Sequence, residues 1–204
     1  MRDGSDTRER IEAAALRLFV EQGVDATSIR DIARAAKVAE GALYRHHPSK
    51  EGLVWSLFER HYTAFAAVLD ELQSEETGID RKLAAMVGGF CRLFDEDRTL
   101  FSFLLLVQHG QLAKVKEAVR TPITVVRSVI AAALKRREIP PGDADLLTAM
   151  VVGIVLQTAT FAVYGRIARP LGELAAELAA ACRCILERRG AQPTSLIARP
   201  GRRS

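Results

Sequence analysis

The chain has 204 residues, 49% hydrophobic and 26% charged, with 14 glycines, 7 prolines and 3 cysteines. That apolar supply can build a sizeable core, which excludes a disordered chain and a disulfide-held miniature scaffold. The formal net charge of +4 does not point to nucleic acid by itself, because Arg183–Ser204 carries six arginines and one glutamate and the rest is close to neutral.

Long stretches favour Ala, Leu, Arg and Glu, which are good helix formers. None alternates polar and apolar residues between turn signals as a strand does. The expected fold class is therefore all-α. The first residues, MRDGSDTRERIEAAA, lack an apolar signal-peptide core. Cys91, Cys182 and Cys184 lack the spacing of a zinc site or a disulfide framework. Reduced thiols, no metal, no cofactor and a cytoplasmic location are the expectations.

The first helix is expected over about Asp6–Gln22. Ile11, Ala15, Leu18 and Phe19 form its stripe, and Arg8, Glu9, Glu12 and Arg17 lie largely off it. Gly23 suits the left-handed residue that stops a helix. Thr27 or Ser28 can cap a second helix, along which Ile29, Ile32, Ala33 and Ala36 recur at helical spacing. Lys37-Val38 reads as a turn. A third helix covers about Ala39–His46, and Pro48 ends it. Ser49 caps a long fourth helix reaching about Gln73, and Ser74–Gly78, SEETG, reads as a linker. Further helices are expected near Asp80–Asp95, Thr99–Gln108, Val115–Glu138, Asp143–Gly165 and Leu171–Arg188. The Ile139-Pro140-Pro141-Gly142 break separates two of them.

Leu146–Tyr164 is 19 residues without a charge, long enough to span a bilayer. Thr148, Gln157, Thr158 and Thr160 interrupt it. A helix apolar on all sides is also what burial between subunits requires, so no membrane span is expected. Asp95, Glu96 and Asp97 are the densest acidic cluster and read as a solvated helix end. Residues 190–204 have no helical period and are expected to form a basic, disordered tail.

The second and third helices are too short to be stable alone in water. Two short helices joined by a tight turn form the helix-turn-helix pattern, here about residues 28–47. Ile32, Val38 and Leu43 would anchor the third helix and free its outer face. Glu40, Gly41, Ala42 and Arg45 on that face are small or polar, as entry into a major groove requires. Arg45 could bond guanine bidentately, and Glu40 could accept from a cytosine amino group. Thr27 and Ser28 sit at a helix N-terminus, where backbone N–H groups attract anions. Tyr44, His46 and Lys50 offer phosphate donors, which set register rather than read sequence. Taken singly, Arg45 or Lys50 is an ordinary solvated charge and Tyr44 half-buried packing. The joint arrangement carries the functional reading.

LFVEQGVDATS, IRDIARAAKV and GALYRHHPSKEGL together resemble the TetR family of transcriptional regulators, over about Thr7–Leu57. The resemblance implies a three-helix DNA-binding domain over residues 1–52 and a larger effector-binding and dimerisation domain over 53–189. It implies that Leu43 is buried, that Tyr44 and Lys50 touch phosphate, and that Glu40–Ala42 and Arg45 face the bases. Lys37 stands where a turn glycine is common. Ala39 replaces a usual capping Ser or Thr, Ala42 a usual threonine, and His47 a usual aromatic or aliphatic residue. These departures put the operator's identity in doubt and leave the fold expectation intact.

In this family the last two long helices pair across a two-fold axis. The interface residues implied here are Leu146, Met150, Gly153, Ile154 and Phe161 with Leu174, Leu178 and Ile185. Expected pocket residues are Met86, Phe90, Phe94, Phe101, Phe103, Gln108, His109, Gln157, Phe161 and Tyr164. Each aromatic among them could equally be plain core. The implied partners are a partly palindromic double-stranded operator, a second copy of the chain and a small, largely apolar organic effector. No GxSxG, HExxH, P-loop or dinucleotide fingerprint is present, so an enzyme is not expected. A ligand-blind DNA-binding regulator and a helical adaptor stay open as alternatives.

Overall fold

A computed structural model describes residues 3–116 and 118–187, with side chains from Asp6 onward. The expected tail over 190–204 lies outside the described residues. Among those residues there are nine α-helices, one 3-10 turn at Leu112–Lys114 and no strand. The helices are α1 (Asp3–Gln22), α2 (Ile29–Ala36), α3 (Glu40–His46), α4 (Lys50–Ser74), α5 (Ile79–Glu96), α6 (Arg98–Gln111), α7 (Pro122–Arg136), α8 (Ala144–Val163) and α9 (Leu171–Glu187).

One expected helix is corrected. The pattern over Val115–Glu138 gives a helix only from Pro122. Thr121 is extended, and its hydroxyl and that of Thr124 bond each other's backbone N–H groups as a capping box. Pro122 at the first helical position lacks the N–H that would go unpaired there and forces Thr121 out of helical geometry.

The acidic cluster Asp95–Asp97 is exposed at the end of α5, as expected, and two of its carboxylates also cap helices. Asp97 accepts from Leu100 N at 2.9 Å and starts α6. Asp95 accepts from Leu171 N and Gly172 N at 3.0 and 2.7 Å, so a carboxylate at the end of α5 caps α9. Negative charge at a helix N-terminus is favourable.

Two hydrophobic cores form. The first joins Ile11, Ala15 and Phe19 of α1, Ile32 and Ala36 of α2, and Leu43 of α3. It continues through Leu53, Leu57, Phe58 and Tyr62 of α4 to Phe103 and Leu104 of α6. The second joins Ala66 and Leu69 of α4 to α5, to Phe101 and Leu105 of α6, and to α7, α8 and α9. Thus α4 and α6 each serve both cores.

Phe103, expected in a ligand pocket, instead stacks on Phe19 at 5.9 Å between ring centroids. Phe94 is fully buried against Phe90 and Phe101 and lines neither of the two cavities described below. Leu178, expected at a subunit interface, is buried within the second core. By contrast Leu146, Met150, Gly153, Phe161 and Tyr164 of the α8 segment are exposed, and Ile154, Leu174 and Ile185 are half-buried. Ala149 and Gln157 extend the exposed row. Of the described helices, α8 alone is long and apolar enough to cross a membrane, and 28% of its apolar window is buried.

Candidate functional site

Helix α2 begins at Ser28, whose hydroxyl oxygen accepts from Asp31 N at 3.1 Å. Asp31 reaches back to Ser28 N at 3.2 Å, completing a capping box. Hydrogen bonds from Ser28 hold the Asp31 carboxyl below its ordinary value. The exposed start of α2 therefore already carries a carboxylate. Thr27 does not face outward: it is 1% exposed, and its hydroxyl donates to Gly23 O at 2.7 Å. Its own N–H donates to Val24 O at 3.3 Å, so Thr27 is removed from the phosphate-contacting set and fixes the α1–α2 loop instead.

The turn after α2 needs a left-handed residue, and Lys37 supplies it at φ 55 and ψ 47. A non-glycine pays a steric cost there, of about 1–2 kcal/mol. Arg10 of α1 offsets it by donating to Ala36 O and Lys37 O at 2.5 and 2.9 Å, which also places a cation at the C-terminus of α2. Nothing local in the sequence marks that long-range bond.

Helix α3 has no side-chain cap at Ala39. It is held by Leu43, which is fully buried. Gly41, Tyr44, Arg45 and His46 are exposed, and Ala42 is half-buried beside them. Glu40 is exposed and pairs with Arg30 of α2 at 3.0 Å. A surface pair of this kind exchanges readily with other partners. Lys50, in the first turn of α4, donates to Val24 O and Asp25 O at 2.8 and 3.3 Å. It thus ties α4 to the α1–α2 loop. Glu40, Gly41, Ala42, Tyr44, Arg45 and His46 share one outward helix; Ser28 and Lys50 flank it.

Beneath this surface lies a polar group that periodicity missed. Glu12 is 5% exposed although its position lies off the α1 stripe. Arg60 of α4 donates to it at 2.5 Å and Arg8 at 2.9 Å. Burial raises its pKa, but the bonds and charges of the two arginines outweigh that, so the carboxyl stays below its ordinary value. His47, at the end of α3, is 3% exposed, with its Nε2 3.8 Å from Glu12 and unpaired among the described residues.

Burial holds the His47 pKa below the ordinary histidine value, against the pull of Glu12. The unfolded chain therefore binds more protons than the folded one below about pH 6.5, and stability is lost as pH falls through that window. Thermal melts should show this decline, and His47→Phe should make it shallower. An identical pH profile for the variant would remove His47 as its source.

Two cavities occupy the larger helical body. The first, about 90 Å³, lies among α4, α5, α6, α7 and α8. Of the expected pocket residues, Met86, Phe90, Phe101 and Gln108 line it. The second, about 520 Å³, opens between α6 and α8, and Gln108, His109, Gln157 and Tyr164 line it. Phe161 lines neither.

The family profile described as bacterial regulatory proteins, tetR family, matches residues 11–57, which hold α1 to α3 and the start of α4. An uncharacterised helix-turn-helix-type transcriptional regulator of Mycobacterium bovis is 30% identical over 162 residues, covering 76% of this chain and 82% of that protein. The chain belongs to the TetR family of transcriptional regulators. As a TetR-family protein it is a DNA-binding regulator, and α3 is the candidate recognition helix.

The match to the regulator AcrR of Shigella flexneri is 45% over 60 residues, 28% of each chain. The match to a Mycobacterium tuberculosis transcriptional regulator is 33% over 96 residues, 47% of this chain. The chain spans about half, 48%, of that relative's length and 28% of AcrR's. The whole TetR-family fold is matched by the crystal structure of FadR from Bacillus subtilis in complex with stearoyl-CoA. The TM-score is 0.71 at 22% identity, covering 86% of this chain and 97% of that one.

Proposed function

We propose that this TetR-family chain is a homodimeric, sequence-specific repressor, released from a partly palindromic operator by a small, largely apolar organic effector. The observation that carries this is the double service of Tyr62 and Leu104. Both pack in the core that holds the recognition helix, and both wall the apolar cavity. A molecule filling that cavity pushes on side chains that position α3.

The geometry suits a lever. Helix α4 begins at Lys50 beside the recognition helix and passes the cavity at Tyr62, Phe65 and Leu69. Its tilt changes the separation of two recognition helices in a dimer. A dyad-related pair needs half-sites roughly 34–36 Å apart, or a multiple, so a changed separation loses one half-site. Such coupling is typically about 1–3 kcal/mol and is reciprocal: operator must weaken effector by the factor with which effector weakens operator.

The exposed row along α8 supports the dimer. Leu146, Ala149, Met150 and Gly153 recur at helical spacing without a charge, and small residues allow close helix approach. We read this row as a subunit interface rather than a lipid-facing surface, and the protein as cytoplasmic. FadR in complex with stearoyl-CoA supports a ligand with a hydrocarbon portion.

Mobility-shift titration across salt, against a selected operator, tests the DNA role. Arg45→Ala should relax preference at one base position by about 1–3 kcal/mol. Lys50→Ala should weaken all sequences alike and lower the salt slope by about one unit. Unchanged base preference at every position in Arg45→Ala would remove its reading role.

A further inference from the structure

Tyr62, Phe65 and Leu69 share one face of α4, and all three wall the first cavity. Its α8 wall includes Val151 and Val155, which are buried, so this cavity lies on the inner side of α8, away from the exposed row. Among the residues lining it, only Tyr62 and Gln108 carry a side-chain oxygen or nitrogen. Phe65 meets Phe101 of α6 at 5.3 Å between ring centroids, and Lys114, just past the end of α6, lies over Trp55. Helices α4 and α6 therefore run in opposite directions, and Tyr62 and Gln108 sit at the same end of the cavity, the end nearer α3.

Gln108 already donates to Leu105 O at 3.3 Å. The Tyr62 hydroxyl has no hydrogen bond among the described residues, although Tyr62 is only 8% exposed. Buried hydroxyls in folded proteins are ordinarily bonded. Burial alone pushes the Tyr62 pKa up to about 12, so the group keeps its proton at neutral pH and can both donate and accept. Its ring stacks on the fully buried Phe58 at 4.8 Å, and Phe58 shares a core with Leu43 of α3.

We infer that Tyr62 reads the effector: the first cavity takes a compact hydrocarbon, a single ring or short chain, carrying one hydrogen-bonding oxygen that meets the Tyr62 hydroxyl. The inference rests on the effector reading above and narrows it to a ligand class and an orientation. The oxygen faces the DNA-binding domain, and the hydrocarbon lies along Phe65, Leu69 and Phe90. At about 90 Å³ the space is smaller than the roughly 150 Å³ apolar cavity that admits benzene. A ring must therefore press on its walls, and a bond to Tyr62 directs that pressure at Phe58 and the support of α3.

Phenol and toluene have nearly the same shape and differ by one oxygen. Calorimetric titration of the full chain with each, at neutral pH, tests the inference. The phenol-to-toluene affinity ratio should fall by about three- to tenfold in Tyr62→Phe, and by less in Gln108→Leu. A ratio unchanged in Tyr62→Phe, or one that falls only in Gln108→Leu, would remove Tyr62 as the polar contact and leave the effector reading standing. Because the hydroxyl bonds nothing in the chain, the ligand-free Tm of Tyr62→Phe should not fall. A drop of several degrees would show that the fold itself uses the hydroxyl and would overturn the assignment. In mobility shifts phenol should weaken operator binding by the parent chain. Phenol that binds through Tyr62 without that effect would sink the effector reading while the Tyr62 contact survives. A folded parent that takes up neither probe would overturn the compact ligand class.

Discussion

Removing both arginines around Glu12, as Arg8→Ala with Arg60→Ala, should destabilise the fold by about 3–5 kcal/mol, because a buried carboxylate then loses both hydrogen-bonding cations and keeps only His47, 3.8 Å away. For a chain of this size that lowers Tm by about 10 °C. The asymmetry is the informative part. The Glu12 side chain is 6% exposed, whereas those of Arg8 and Arg60 are 48% and 45% exposed. Deleting the acid leaves two cations that water can solvate; deleting the cations leaves an anion that water cannot reach. Glu12→Gln in the double-arginine variant should therefore recover most of the loss. The stranded Glu12 should also have a raised folded-state pKa, so the variant gains stability relative to the parent as pH falls toward the carboxylate range. Urea unfolding at several pH values reads both effects. A double-arginine variant equally destabilised at every pH would remove the charge as the cause.

Gly153→Asp should convert the proposed dimer to monomer at micromolar concentration, weakening association by about 2–5 kcal/mol, or roughly 30- to 5,000-fold. Gly153 is exposed on α8, and a Cβ built there meets nothing within 4 Å. The monomer fold accepts the change, although Gly153 also lines the second cavity. In a two-fold interface the carboxylate occurs twice, close to the axis and unpaired. Met150→Glu, on the same exposed row but away from the second cavity, should act alike. Sedimentation across a dilution series measures both. Dimers surviving in both variants would move the interface off α8.

Much of the fold was legible because its signals are local. Ile32, Ala33, Ala36 and Leu43 stand at helical spacing, and all are buried. The Ser49 cap and the Pro48 stop place the start of α4 to the residue. Thr121-Pro122 was an equally local signal, a cap followed by a proline suited to a first turn, yet the apolar pattern beginning at Val115 masked it. What stayed hidden depends on distant partners. Glu12 meets Arg60, 48 residues away, and Asp95 caps a helix 76 residues on. Phe103 reads like any aromatic on an apolar helix, and only the crossing of α6 over α1 assigns it to Phe19. At the recognition surface, side-chain type pointed to Arg45 and Tyr44, both exposed. The burial of Thr27 followed from a loop conformation that periodicity does not encode.

Helices α4 and α6 each serve two cores, and this limits how such a protein can be recombined. A graft that exchanged only residues 1–52 for those of a relative would cut through packed side chains. Phe58, Tyr62 and Phe103 would meet a foreign surface, and a clash or void there costs as much as a core mutation. New operator preferences are reached more cheaply by point changes on the outer face of α3, which touch neither core. Evolution of this chain should thus proceed by repainting one short helix, while the junction beneath it drifts only in concert.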